Sequence, residues 1–245
     1  MTSRWALSAA AVLCALASDT PARADAPPYA TTDTGIADKL EFTGFAQSIT
    51  QGRIGVDVLG LDLAIPLAPR WEMTIVPRMA LVSDGDRRVM GVGDTEIAVK
   101  YLLLSETAVL PAIAIEPNLT IPTGGRRLGD GQVAIEIPLL ISKAFGAWRL
   151  SGQFGYARDG FDARADHAPV SLLLERTIAK NFSLGVEIAN DLPMRRPSRG
   201  PVQVNLGGSW AIRDGLVFEA ALGRRLVSAS EPADLHSCFA LAIEF

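Results

Sequence analysis

The sequence predicts an all-β fold, a transmembrane antiparallel up-and-down β-barrel of about twelve strands, on three observations. Hydrophobic residues make up 49% of the 245-residue chain and mean hydropathy is +0.23, yet beyond the amino terminus no run approaches the roughly 20 apolar residues of a transmembrane helix. The apolar content is distributed by alternation, which suits a closed barrel because only helices and closed barrels satisfy every backbone group inside lipid. The last run sets Phe239, Leu241, Ile243 and Phe245 against Cys238, Ala240, Ala242 and Glu244. A closing strand with an aromatic carboxyl terminus is the form in which the barrel-assembly machinery is expected to read this chain.

The amino terminus fixes the compartment. Arg4 precedes an apolar stretch, Trp5 to Ala17, followed by the small residues Ala22, Ala24 and Ala26. That stretch is too short to span a bilayer and reads as a secretory signal peptide over 1–24, cleaved after Ala24. Cleavage removes Cys14 and leaves Cys238 as the only thiol, so export proceeds without an internal disulfide. It also removes Arg4, Arg23 and Asp19, leaving 21 basic against 26 acidic residues and a net charge of −5. A mildly acidic chain gives no indication of nucleic-acid binding. Residues 25–39 follow as an expected periplasmic segment, with no obvious plug, and 40–245 as the barrel in the outer membrane of a Gram-negative bacterium.

Period-two runs supply the strands in order. Leu40 to Ile49, with Phe42 and Phe45, alternates weakly and is needed to make the count even. Leu59, Leu61, Leu63, Ile65 and Leu67 oppose Gly60, Asp62, Ala64 and Pro66, and Trp71 to Leu81 repeats the pattern against Glu72, Thr74 and Arg78. Thr95 to Leu103 opposes Asp94, Glu96, Ala98 and Lys100; Val109 to Ile121 opposes Ala112, Ala114, Glu116 and Asn118. Further runs cover about 133–142, 148–156, 170–175, 182–188, 202–212, 216–223 and 236–245. Pro66, Pro77, Pro117 and Pro138 fall inside these runs, where each lacks a ladder donor, and they imply bulges or local defects.

Connections alternate in length. Those at 68–70, 105–107, 144–147, 179–181 and 213–215 are short, whereas about 82–93, 123–130, 158–167, 191–200 and 227–235 are longer and rich in Gly, Asp, Arg, Pro and Ser. Short periplasmic turns and long outer loops are the expected arrangement. Trp71, Tyr101, Trp148, Phe182, Trp210, Phe218 and Phe245 share the apolar phase near the short turns, as an interfacial girdle would. A secreted β-sandwich also alternates, but its solvated faces would carry many lysines, and this chain has four.

The stretch Gly91-Val92-Gly93-Asp94, Thr95 to Tyr101, Pro111-Ala112, Ile121-Pro122-Thr123-Gly124, Gly129-Asp130-Gly131 and the strand ending Ser142-Lys143 resembles the outer-membrane barrel family of the MetA pathway of phenol degradation. The likeness is closest over about 90–160. It implies an outer-membrane barrel that acts as a transporter or channel. The short loop from Thr123 to Asp130 and the lack of an obvious plug depart from the family.

Mechanism must come from the inward phase. Twelve strands about 4.8 Å apart and tilted by about 40° give a backbone radius on the order of 12 Å. The lumen-lining candidates are Glu72, Arg78, Glu96, Lys100, Glu116, Asn118, Glu136, Arg149, Glu175, Glu187 and Glu219, with Gln132, Gln153, Gln203 and Asn205 on the same phase. Carboxylates beside Arg78, Lys100 and Arg149 either line a narrow polar route for small, aromatic or hydrophobic molecules or fill the lumen of a structural barrel. Either needs charge pairing, since unpaired buried charge is costly.

A lipid hydrolase is the remaining class, and it rests on His167 and His236 with Ser171 and Ser237 nearby. No local motif places a base, nucleophile and orienting acid together. Arg87-Arg88, Arg126-Arg127, Arg195-Arg196 and Arg224-Arg225 gather at the outer rim, where arginine pairs suit the phosphates of lipopolysaccharide. Asp84, Asp86, Asp159 and Asp162 lack the spacing of a calcium loop. Neither a metal nor a cofactor is expected.

Overall fold

Alternation over ten or so residues at a time leaves each strand with one apolar and one polar face, and the chain resolves this by closing a single sheet on itself. The computed structural model describes residues 28–51, 54–124, 128, 131–160, 166–194, 202–226 and 235–245; the signal peptide expected over 1–24 lies outside the described residues. Fifteen strands form one sheet: β1 (Glu41–Gln51), β2 (Ile54–Ala68), β3 (Trp71–Val76), β4 (Arg78–Asp84), β5 (Arg87–Val92), β6 (Thr95–Leu104), β7 (Ala112–Ile115), β8 (Asn118–Ile121), β9 (Ala134–Phe145), β10 (Trp148–Asp159), β11 (His167–Ala179), β12 (Phe182–Pro193), β13 (Val202–Arg213), β14 (Leu216–Leu226) and β15 (Leu235–Glu244). Every pairing is antiparallel, and β1 bonds to both β2 and β15, with Phe42 opposite Leu63 on one side and Ile243 on the other. The wall therefore has twelve staves, three of them broken into two strands, and no free edge.

The direction of the side chains decides between barrel and sandwich. On β12, β13 and β14 the large apolar residues Val186, Leu206 and Leu222 are 49%, 60% and 60% exposed, while Glu187 and Asn205 between them are buried. Ile137 on β9 is likewise exposed. Carboxylates inside and leucines outside invert the rule for water-soluble proteins, as a wall facing hydrocarbon requires. Rings gather at the turn end: Trp71 stacks on Tyr101 at 4.3 Å, Phe42 meets Phe245 edge-on at 5.4 Å, and Arg176 covers Trp148. Phe182, Trp210 and Phe218 stand side by side across β12, β13 and β14.

Several elements differ from expectation. The long connection expected over 82–93 is mostly strand, because β4 and β5 continue as a hairpin around Gly85 and Asp86, with Asp84 opposite Arg87 and Gly85 at φ 57°. The tip of this extension, Ser83 to Arg88, is polar throughout, so no alternation marked it. The run expected over 109–121 breaks at Glu116 and Pro117 into β7 and β8, and the preceding turn is longer than expected, from Ser105 to Pro111. β1 alternates weakly because Phe45 points inward and covers Gly60, its partner on β2.

The prolines act where a missing donor matters. Pro77 separates β3 from β4, Pro117 separates β7 from β8, and the register slips between Pro66 and Ala68. The breaks stay bonded: Leu61 N donates to Pro77 O at 3.2 Å, Gly93 N to Arg78 O at 2.9 Å, Val99 N to Pro117 O at 3.1 Å and Glu116 N to Pro138 O at 3.2 Å. Pro138 remains within β9, and beside it a Cβ on Gly155 would lie 2.9 Å from the Pro138 Cα and 3.0 Å from the Ile137 carbonyl oxygen. Backbone cannot yield as a side chain can. Gly155→Ala is expected to cost about 1–3 kcal/mol, measured by urea titration of protein refolded into phospholipid vesicles.

Candidate functional site

The interior is not an empty tube. Residues 29–37, expected in the periplasm and without a plug, lie inside the wall and are held along their length by inward side chains. At the upper end Glu187, fully buried, accepts from Ala30 N at 3.0 Å, Thr31 N at 2.6 Å and Asn205 Nδ2 at 2.5 Å. Thr31 Oγ1 lies 2.7 Å from Glu187 Oε1 and 2.7 Å from Ser171 Oγ. Further down, Thr32 N donates to Gln153 Oε1 at 3.1 Å, and Thr34 Oγ1 meets Ser142 Oγ at 2.5 Å. At the turn end Ala37 N donates to Glu72 Oε2 at 2.5 Å, and Lys100 Nζ donates to Gly35 O at 3.2 Å while lying 3.7 Å from Glu72.

The first of these residues has a shaped seat. Gly185 and Gly207 face each other across β12 and β13. A Cβ on either would come within 2.7 or 2.8 Å of the Tyr29 hydroxyl, which donates to Gly185 O at 3.3 Å. Two glycines in register thus leave the notch that the phenol fills. In the sequence they read only as small inward residues. Where a periplasmic segment was expected over 25–39, the backbone N–H groups of Ala30, Thr31 and Ala37 are donors to inward carboxylates, as buried acceptors require.

All eleven candidates fall on the inward phase, but they divide into groups. Glu72, Lys100 and Glu187 hold the inner segment. Arg78 and Glu96 pair with each other at 2.6 Å. Arg149 lies 3.5 Å from Ser142 and 3.9 Å from Glu106 at the turn end. Glu175 and Glu219 are buried on the β11 and β14 side. Glu116, Asn118 and Glu136, with Arg78 and Glu96, border a cavity of about 220 Å³ whose floor includes Tyr29, Ala30 and Thr32. Four of its lining residues flank the proline breaks, Val76 and Arg78 at Pro77 and Glu116 and Asn118 at Pro117.

Asp62, Thr74 and Phe45 also line this cavity and were not among the candidates. Asp62 stood in the sequence on the polar phase of β2, and that phase was the only signal it gave. Among the described residues no three His, Cys, Asp or Glu side chains converge to hold a metal ion. His167 and His236 stand on β11 and β15, separated by three intervening strands, and Ser171 is engaged by Thr31 inside the lumen. Of the arginine pairs, 126–127 and 195–196 lie outside the described residues, as do Asp162 and most of the longer loops.

A family model described as "Putative MetA-pathway of phenol degradation" matches residues 27–231. The sequence matches no curated protein. Among solved structures, the COG4313 outer membrane channel of Pseudomonas putida F1 superposes with a TM-score of 0.69 at 14% identity, covering 90% of this chain and 99% of that one. The KdgM porin follows at 0.56 and 11%, covering 83% and 99%. The Pseudomonas putida toluene transporter TodX gives 0.54 and 7%, covering 86% and 91%. At these identities the likeness is one of fold.

Proposed function

The chain belongs to the family of the MetA pathway of phenol degradation, and from that membership and the lumen just described we propose an outer-membrane channel or transporter that passes small molecules, aromatic or hydrophobic ones among them, through a narrow polar interior. The observation that carries this reading is the cavity of about 220 Å³ inside a closed wall, lined by Arg78, Glu96, Glu116, Asn118 and Glu136. A barrel needed only as a support has no use for an open, charge-lined chamber at the height of its strand breaks. TodX and the CymD monoaromatic hydrocarbon channel share the fold, which supports small aromatic solutes as the cargo class.

We extend the proposal to the setting: the apolar belt meets outer-membrane lipid, the arginine pairs meet lipopolysaccharide phosphates, export uses the signal peptide over 1–24, and the strand ending at Phe245 is offered to the assembly machinery. No covalent chemistry is assigned, since Ser171 is turned into the lumen, away from lipid.

A second reading, a filled barrel without conductance, is favoured by one observation: residues 29–37 occupy the lower lumen. Planar-bilayer recording of the refolded chain separates the two. Passage predicts discrete current steps whose ion selectivity shifts when Arg78 is replaced by Glu, because the Arg78–Glu96 pair then becomes two like charges in the chamber. A filled barrel gives no steps in either protein.

A further inference from the structure

We infer that the chamber beside the strand breaks is a binding site for a small organic cation, an ammonium carried on a compact apolar or aromatic body. The inference rests on the proposed function only in that solute must reach the interior.

The argument begins with Asp62. It points inward from β2, is only 3% exposed, borders the chamber, and has no hydrogen-bond or ion-pair partner among the described residues. The charges that reach it are those of Glu72, Glu116, Glu96 and Glu41, all of its own sign. Cations that would answer it are committed elsewhere. Arg78 is held by Glu96 at 2.6 Å, and Lys100 lies between Glu72 and the Gly35 carbonyl. The chamber lining thus carries four carboxylates, Asp62, Glu96, Glu116 and Glu136, against the single cation Arg78. A buried carboxylate without a partner is an expensive group to keep charged, and a cation entering the chamber offsets that cost.

The shape of the site selects the kind of cation. Among the described residues no three ligating side chains converge, so a bare divalent ion would lack the shell of six or more oxygens it requires. An ammonium needs only two or three acceptors. The lining also includes the apolar side chains of Phe45, Val76 and Pro138, the first two on the strands that flank Asp62, and they give a body of ring size something to rest on. Room is sufficient, since a cavity of about 150 Å³ already admits benzene and this one measures about 220 Å³.

The test is equilibrium titration of the purified full chain in detergent micelles with benzylammonium, and with benzyl alcohol and benzoate as neutral and anionic counterparts. Benzylammonium is expected to bind at least about tenfold more tightly than benzyl alcohol, as a charge-assisted pair allows, with benzoate weakest. Asp62→Asn is expected to abolish that preference and Glu136→Gln to reduce it, each variant first shown folded by its heat-modifiable gel mobility. Absence of benzylammonium binding, equal binding of amine and alcohol, or a preference that survives in a folded Asp62→Asn protein overturns the site. Bilayer current is a separate readout: amine binding without current keeps the site and removes passage, and current without amine preference does the reverse.

Discussion

Deleting residues 28–37 from the exported chain raises single-channel conductance by about tenfold. Inward side chains reaching some 6 Å from each side reduce a barrel of about 12 Å backbone radius to a bore of roughly 12 Å, and a peptide strand fills such a bore. In the intact chain that strand is present and bonded at both ends, to Glu187 above and to Glu72 and Lys100 below. Current must then pass beside it. Glu187→Ala provides the intermediate case. It leaves Ala30 N, Thr31 N and Asn205 Nδ2 without their shared acceptor, a loss on the order of 3 kcal/mol, so the upper half of the segment detaches while Glu72 and Lys100 keep the lower half in place. Its traces are expected to flicker between the conductance of the intact chain and that of the deletion. Equal conductance in all three proteins would mean that the narrowest point lies elsewhere and that the segment is a structural filling.

The sequence carried the wall more fully than its contents, and the reason lies in what alternation reports. A strand half in lipid and half in a polar lumen writes its environment into every second residue, so β9, β10 and β13 to β15 were legible nearly to their ends, while the runs read for β11 and β12 covered about half of each. β4 and β5 beyond Val82 were not, because Ser83, Asp84, Arg87 and Arg88 meet water on both sides and carry no period. The break at Glu116 and Pro117 was foreshadowed by the proline, which cannot donate to a ladder. The inner segment was illegible for a different reason. Thr31, Thr34 and Ala37 form no pattern of their own; their partners Glu187, Ser142 and Glu72 lie 156, 108 and 35 residues away. The inward carboxylates were assigned to the lumen by phase alone, and phase does not distinguish Glu187, satisfied by backbone donors, from Asp62, which is not.

Leu206→Arg is expected to destabilise the barrel by about 2–4 kcal/mol in phospholipid vesicles, the cost of an arginine on the lipid face near the midplane of a β-barrel. Leu206 is 60% exposed in the middle of β13, between the outward residues Val186 and Leu222. On a water-soluble protein a residue so exposed tolerates substitution within about 0.5 kcal/mol. The bilayer alone supplies the difference, through the loss of water for a guanidinium that cannot reach a headgroup without strain. Asp214→Arg, in the turn between β13 and β14, serves as the control and should stay within that smaller range. Urea titrations in vesicles measure both. Inward carboxylates and outward leucines are two consequences of one orientation, so this measurement bears on the lumen as well. A Leu206→Arg protein as stable as its parent in lipid would place water outside the wall and deprive Glu187, Asp62 and the chamber of their meaning as an interior.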